Sequence, residues 1–121
     1  MDNQESVPDE NGDTARQENA PGYEERLAHF IALLSDDDES SRWKAAETLG
    51  RIRDPAAVEE LTGTLWDDDE RVRVKAAWAL GQIGDPRAIP SLRRLYRMEN
   101  ERVRETITEA LEQINRQASS Q

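Results

Sequence analysis

The sequence contains no cysteine, one histidine (His29) and two lysines (Lys44 and Lys75) among its 121 residues. Without cysteine, the chain can form neither a disulfide nor a thiolate zinc site, and it cannot use a cysteine nucleophile. No apolar run approaches the roughly 20 residues needed to span a bilayer, and the acidic N-terminus lacks the basic and apolar regions of a secretory signal. These absences favour a cytoplasmic protein.

Aromatic residues make up 5% of the chain, so the core must be built mainly from Ala, Leu, Ile and Val. The formal net charge is −10, which disfavours broad binding to nucleic acids or anionic membranes, because both need a positive footprint. His29 has no orienting partner that the sequence identifies, and no phosphate loop, catalytic triad or metal-ligand spacing is present. We therefore expect a protein that is not an enzyme, with no catalytic residue, cofactor or metal site.

The first part of the chain differs sharply from the rest. Residues 1–22 are mostly Asn, Asp, Glu, Gln, Gly and Pro, and six acids stand there against Arg16 alone. Such a segment has too little apolar surface to offset its conformational entropy. We predict a disordered acidic tail over residues 1–22, a helical domain over 23–116 and a disordered C-terminal tail over 117–121.

The helical domain is written as a repeat with an offset of 31 residues. Residues 42–55 read RWKAAETLGRIRDP, and residues 73–86 read RVKAAWALGQIGDP. The similarity continues past the proline, and a third copy begins at Arg104. Self-similarity at such a period is typical of stacked repeat architectures.

Each copy reads as two helices. Apolar residues at helical spacing predict a buried stripe on both, including Val72, Leu80 and Ile83 on one and Leu92 and Tyr96 on the other. Asp54 and Asp85 precede prolines and should cap the second helix of each copy. The predicted helices lie near 23–34, 39–52, 55–66, 70–83, 86–98 and 101–116.

Two further positions recur with the repeat. Gly50 and Gly81 should let neighbouring helices approach closely, whereas Glu112 takes this position in the last copy and indicates a terminal layer. The acidic turns 36–39 and 67–70 fit helix capping better than cation binding, since they lack the ligand spacing of an EF-hand.

These strings resemble the HEAT-like repeats of phycobilisome lyases, as seen in KAAETLGRIRDPAAVEEL, KAAWALGQIGDPRAIPSL and ERVRETITEALEQI over about residues 24–116. The resemblance implies an all-α fold, a short right-handed solenoid of about three helical hairpins with a HEAT/armadillo-like superhelix. It also implies that second helices line the concave side. A ladder between repeats is implied in which arginines pair with acids, drawn from Arg42, Arg73 and Arg104 and from Asp54 and Asp85.

A partner-binding surface is predicted on the concave side. Counting about 100° per residue around the second helices places small residues there together with a tryptophan and an arginine cluster, namely Trp66, Arg87, Arg93, Arg94 and Arg97. Trp and Arg are enriched at binding hot spots. Two alternatives stay open: the tryptophan folds over its helix end, or the arginines are solvated or paired with Glu99, Glu101 and Glu105.

The first functional hypothesis is a protein–protein interaction or scaffold module whose concave face binds a peptide or helix with acidic and apolar residues. The acidic tail could instead occupy this face until it is displaced, an attraction that salt would weaken. A third hypothesis, a subunit of a chromophore lyase or similar complex, rests on the resemblance alone. Nucleic-acid binding is the least favoured, through a local cluster opposed by the overall charge: Arg87, Arg93, Arg94, Arg97, Arg102 and Arg104.

Overall fold

The computed structural model describes residues 21–120, and all regular structure within them is helical. Six α-helices follow one another: α1 (Pro21–Leu33), α2 (Glu39–Ile52), α3 (Val58–Thr64), α4 (Glu70–Ile83), α5 (Ile89–Tyr96) and α6 (Glu101–Ser119). The predicted all-α class with six helices is therefore confirmed. The predicted acidic tail lies outside the described residues, except that positions 21 and 22 already belong to α1.

The helices form two layers. The first-helix layer consists of α2, α4 and α6, with α2 packed against α4 and α4 against α6. The second-helix layer consists of α1, α3 and α5, each packed against the helix that follows it in the chain. The core between the layers is built from fully buried aliphatic side chains, among them Leu49, Leu61, Leu80, Leu92, Ile107 and Ile114.

Glycine and alanine bring the first helices together. A β-carbon at Gly50 would lie 2.9 Å from the Cα of Ala79, and one at Gly81 would lie 2.8 Å from the Cα of Ala110. Such contacts leave no room for a side chain between the helix backbones. The predicted close approach at the recurring glycine is confirmed.

Caps set the limits of α2 and α4, which agree with the predicted 39–52 and 70–83. The Asp38 carboxylate accepts the Ser41 N–H at 3.0 Å, and Asp69 accepts the Arg71 N–H at 2.8 Å. The helices end in left-handed residues, with φ of 63° at Arg53 and 78° at its repeat equivalent Gly84.

Two of the second helices, α3 and α5, are shorter than predicted. Asp54 and Asp85 cap them as expected, but each begins with a 3₁₀ turn, Pro55–Ala57 and Pro86–Ala88. They end early because the N–H groups of Trp66 and Met98 bond three residues back, closing a tighter turn. At the other end of the domain α6 runs past the predicted limit of 116, so the proposed C-terminal tail is helical up to Ser119.

Arginines tie successive repeats together, but with other partners than predicted. Arg42 donates from Nε to Asp67 Oδ2 at 2.7 Å and from Nη1 to the Asp36 carbonyl at 2.8 Å. Arg73 repeats this pattern with the Asp67 carbonyl at 2.8 Å and with Glu99, whose Oε2 lies 3.0 Å from its Nε. The carboxylate of Asp67 raises the pKa of Arg42 above its ordinary value.

The predicted pairing of these arginines with Asp54 and Asp85 is wrong. Arg42 lies in the first turn of α2 and Asp54 follows its end, about 18 Å away at 1.5 Å per residue. Asp54 instead accepts the Tyr23 hydroxyl at 2.8 Å, which ties the start of α1 to the turn before α3. This hydrogen bond, helped by desolvation, raises the pKa of Tyr23 because it favours the neutral phenol.

Candidate protein-binding surface

Trp66 and Arg94 lie together on the outer side of the second-helix layer. Trp66 follows the end of α3 and is 40% exposed. Arg94 lies on α5 of the next repeat, and its guanidinium carbon lies 5.3 Å from the centroid of an indole ring of Trp66. A cation over an aromatic ring is attracted by about 0.5–1 kcal/mol at an exposed site. Neighbouring repeats thus contribute one half each to a composite surface.

Small residues are exposed on the second helices. Ala28, Ala32, Gly63 and Pro90 are all exposed. A β-carbon at Gly63 would meet no atom within 4 Å, and the Gly63 carbonyl accepts the Trp66 N–H at 3.2 Å. An incoming side chain can therefore reach the backbone of α3 directly beside the indole. We call the area formed by Gly63, Trp66 and Arg94 the second-helix site.

Arg87, predicted for the same surface, is engaged locally. Its Nη2 lies 2.8 Å from Asp85 Oδ2 and 3.4 Å from the Pro55 carbonyl of the preceding repeat. The guanidinium holds the pKa of Asp85 below its usual range. Arg87 therefore braces two successive turns and offers a partner less of its charge than Arg94 does.

Arg93 and Arg97 point away from the second-helix site. They line a groove of about 420 Å³ between α5 and α6, together with Tyr96, Leu111 and other residues of α6. The structure thus divides the predicted arginine cluster into two surfaces. Tyr96, predicted as a core residue, is 39% exposed, because no helix among residues 21–120 covers this side of α5.

A third feature, on the first-helix layer, was not predicted from the sequence. The Lys75 ammonium lies 5.4 Å from the Trp43 ring and 5.2 Å from the Trp78 ring, and 3.6 Å from Glu47 Oε2. The Trp78 ring also covers Gly50, so packing is its main role. The repeat offset could have revealed the cluster, because it aligns Trp43 with Val74, the neighbour of Lys75.

His29 and the acidic turns are the remaining residues that the sequence suggested as possible sites. His29 is exposed on α1, edge-on to its neighbour Phe30. In the acidic turns, Asp36 accepts the Asp38 N–H at 3.1 Å and Asp67 accepts the Asp69 N–H at 2.9 Å, so these carboxylates order the turns. Within residues 21–120, no group of three or more His, Cys, Asp or Glu side chains could hold a metal ion. In the same part of the chain, no helix has the length and apolar character needed to cross a membrane.

Helical hairpins stacked in two layers at a 31-residue repeat define an α-helical repeat protein. Residues 27–112 match the family model of HEAT repeats, and the chain belongs to the HEAT repeat family. None of the curated proteins matches the sequence. The predicted family is confirmed at this level, while the narrower kinship with phycobilisome lyases is supported by a likeness to a solved structure.

That likeness is to the complex of CpcE and CpcF of phycocyanin lyase from Nostoc sp. PCC7120, with a TM-score of 0.68 and 33% identity over 73% of this chain. Human deoxyhypusine hydroxylase in complex with glycerol gives a TM-score of 0.71 and 26% identity over 76% of this chain. The chain spans 36% and 33% of the length of these two proteins. An engineered protein matches at 24% identity and a TM-score of 0.60, covering 73% of this chain and 44% of that one, and shows the fold alone.

Proposed function

We propose that this chain is a non-catalytic protein-binding module and that its second-helix site takes a partner peptide or helix carrying acidic and apolar residues. The observation that carries the proposal is the stack of Arg94 on the half-exposed Trp66. Both residue types dominate binding hot spots, and stacking holds each in place before a partner arrives.

The site offers one contact for each property of such a partner. An apolar side chain can pack on the indole over the open backbone at Gly63. A carboxylate can pair with Arg94, which forms no ion pair within residues 21–120. Guanidinium and carboxylate groups match in two-pronged geometry.

A displayed peptide library selected on the full chain tests this proposal. Peptides that bind should be enriched in Asp or Glu next to an apolar residue, and Trp66→Ala and Arg94→Glu should each weaken binding by about tenfold or more. Gly63→Leu should block the site without disturbing the fold, since nothing lies within 4 Å of its β-carbon.

Arg51→Glu is the matched control, because Arg51 is exposed on the first-helix layer and the change in net charge equals that of Arg94→Glu. It should leave binding unchanged. Selected peptides that bind all four variants equally well would refute the second-helix site. The prediction that the acidic tail covers this face concerns residues outside the described range and needs a separate comparison with the chain lacking residues 1–21.

A second candidate function follows from the likeness to the phycocyanin lyase complex, which is formed by CpcE and CpcF. Here the chain would be an accessory subunit of a related enzyme complex. A visible absorbance change on titrating an open-chain bilin with the chain would support this role. Binding to nucleic acid through the arginines would appear as a gel shift at low salt.

A further inference from the structure

The outer side of α5 and α6 corresponds to a surface that is buried one repeat earlier. One repeat earlier, the equivalent positions Leu65, Ala77 and Leu80 are fully buried between successive layers. Tyr96, Thr108 and Leu111 take these positions in the last repeat, where Tyr96 is 39% exposed and Leu111 is partly exposed. We call this surface the end face.

Opposite charges flank the apolar middle of the end face. Arg93 and Arg97 lie on the α5 side, and Glu109 and Glu112 lie on the α6 side. Arg104 also lies on the α6 side, but its Nε donates to the Tyr96 carbonyl at 2.9 Å and its guanidinium carbon lies 5.0 Å from the centroid of the Tyr96 ring. Two grooves of about 420 and 780 Å³ meet there and share Tyr96, Thr108 and Glu112. Within residues 21–120 none of the four charged side chains forms an ion pair, unlike Arg42, Arg73 and Arg87.

Glu112 argues against a further repeat stacked in the same way. It takes the position of Gly50 and Gly81, where even a β-carbon would meet the next helix at 2.9 Å or less. A first helix placed as α4 lies on α2 would collide with the glutamate. The occupant of the end face must therefore stay clear of this position. An occupant that carries charges opposite to those on the two rims would fit this surface best.

We infer that the end face binds the end face of a second copy of this chain, related by a two-fold axis that runs along the groove between α5 and α6. Such an axis places the arginines of one copy opposite the glutamates of the other, twice. A two-fold interface requires this self-complementarity. Leu111 and the part of each Tyr96 ring that Arg104 leaves uncovered then meet in the centre, where exclusion of water strengthens the surrounding charge pairs.

The net charge of −10 opposes the approach of two copies. Physiological salt screens this repulsion beyond about 8 Å, whereas pairs in direct contact are screened less. This interface uses none of the residues of the second-helix site, so it stands or falls independently of the proposed function.

Sedimentation velocity of the full chain tests the dimer with two charge-reversed variants, Arg93→Glu/Arg97→Glu and Glu109→Arg/Glu112→Arg. The wild type should dimerise as its concentration rises. Each variant alone should dimerise at least about tenfold more weakly, because both rims then carry the same charge. An equimolar mixture of the two should regain the dimer, since every rim again meets its opposite.

General electrostatics predicts a different result for one variant. Glu109→Arg/Glu112→Arg lowers the net charge from −10 to −6, so weaker repulsion alone would promote its association. All four side chains are exposed, and circular dichroism should show unchanged helix content. A wild type that stays monomeric, a glutamate-reversed variant that dimerises as well as the wild type, or a mixture that fails to associate would each overturn the inference.

Discussion

The two layers of this protein use the same kinds of residue in different ways. The first-helix layer contains the long helices α2 and α4, 14 residues each, and packs backbone to backbone at Gly50 and Gly81. In the second-helix layer, α3 and α5 have 7 and 8 residues, and Gly63 faces open space. A glycine that joins helices in one layer opens a surface in the other.

The difference separates stability from recognition. In the first-helix layer, a changed side chain at the glycine contact must move a neighbouring backbone, so this layer fixes the spacing of the repeats. In the second-helix layer, the outer side chains touch few neighbours and can change without such a shift. The surface most open to functional variation therefore rests on the more constrained layer.

Gly81→Ala should produce the largest effect on stability. The added β-carbon would lie 2.8 Å from the Cα of Ala110, so α4 and α6 must separate. Overpacking of this kind typically costs 1–3 kcal/mol, and the better helix propensity of alanine offsets only part of it. We expect the free energy of unfolding, measured by urea denaturation, to fall by about 2 kcal/mol. An unchanged free energy of unfolding would show that α4 and α6 separate easily at this contact.

Arg42→Ala should have the next largest effect, because Arg42 connects two successive repeats through polar groups. Its side chain is 15% exposed and bonds both Asp67 and the Asp36 carbonyl. Hydrogen bonds to charged groups contribute more than neutral ones, and we expect a loss of about 1–2 kcal/mol in the free energy of unfolding.

Arg51→Ala is the comparison for this arginine. Arg51 pairs with Glu47 one turn away on the exposed surface of α2, at 2.9 Å. Pairs of this kind contribute about 0.5 kcal/mol or less. An equal loss in the free energy of unfolding for Arg42→Ala and Arg51→Ala would contradict a role for Arg42 in joining successive repeats.

The sequence predicted the first-helix layer well because local chemistry determines it. Capping aspartates fixed the start of α2 and α4, and the recurring glycine revealed their contact before any coordinates. Each of these features belongs to one stretch of chain, or to one position that recurs with the repeat. None of these features depends on the rotation of one repeat relative to the next.

The second-helix layer was predicted less well because its features depend on that rotation. A 3₁₀ turn advances about 120° per residue, so counting 100° through Pro86–Ala88 misplaces later residues by about 60°. This error is the same for Arg93, Arg94 and Arg97, so their split between two surfaces and the stack of Arg94 on Trp66 depend on how neighbouring helices are placed, which the sequence does not give. The partners of Arg42 and Arg73 were also missed, because their acids lie 25 and 26 residues further along the chain.

Acid should weaken the second-helix layer at Asp85. Arg87 lowers the pKa of this carboxyl in the folded chain, whereas its pKa in the unfolded chain is about 3.9. A group with a lowered folded pKa stabilises the fold fully above its unfolded pKa, and this contribution is lost as the pH falls through the folded pKa. Asp69 acts in the same direction through Arg71. The contact of Gly81 with Ala110 contains no titratable group and should not respond.

Urea denaturation of Asp85→Asn and Asp85→Ala at about pH 7 and about pH 3 separates charge from capping. Asn remains a good cap but does not titrate, so its stability should fall less over this interval than that of the wild type. Ala removes the cap and should cost about 1 kcal/mol at neutral pH. The same acid response in wild type and Asp85→Asn would assign the pH dependence to other carboxylates.

Gly63→Ala should have the smallest effect and the opposite sign to Gly81→Ala. Gly63 lies within α3, and a β-carbon there meets no atom within 4 Å. Alanine is favoured over glycine in a helix interior by up to about 1 kcal/mol, so the free energy of unfolding should rise by a few tenths to about 1 kcal/mol in this short helix. The same methyl group thus distinguishes the layers, since it separates α4 from α6 but only stiffens α3. A loss of stability for Gly63→Ala would show that the second-helix layer is as closely packed as the first. The backbone of α3 beside Trp66 would then not be open to a partner.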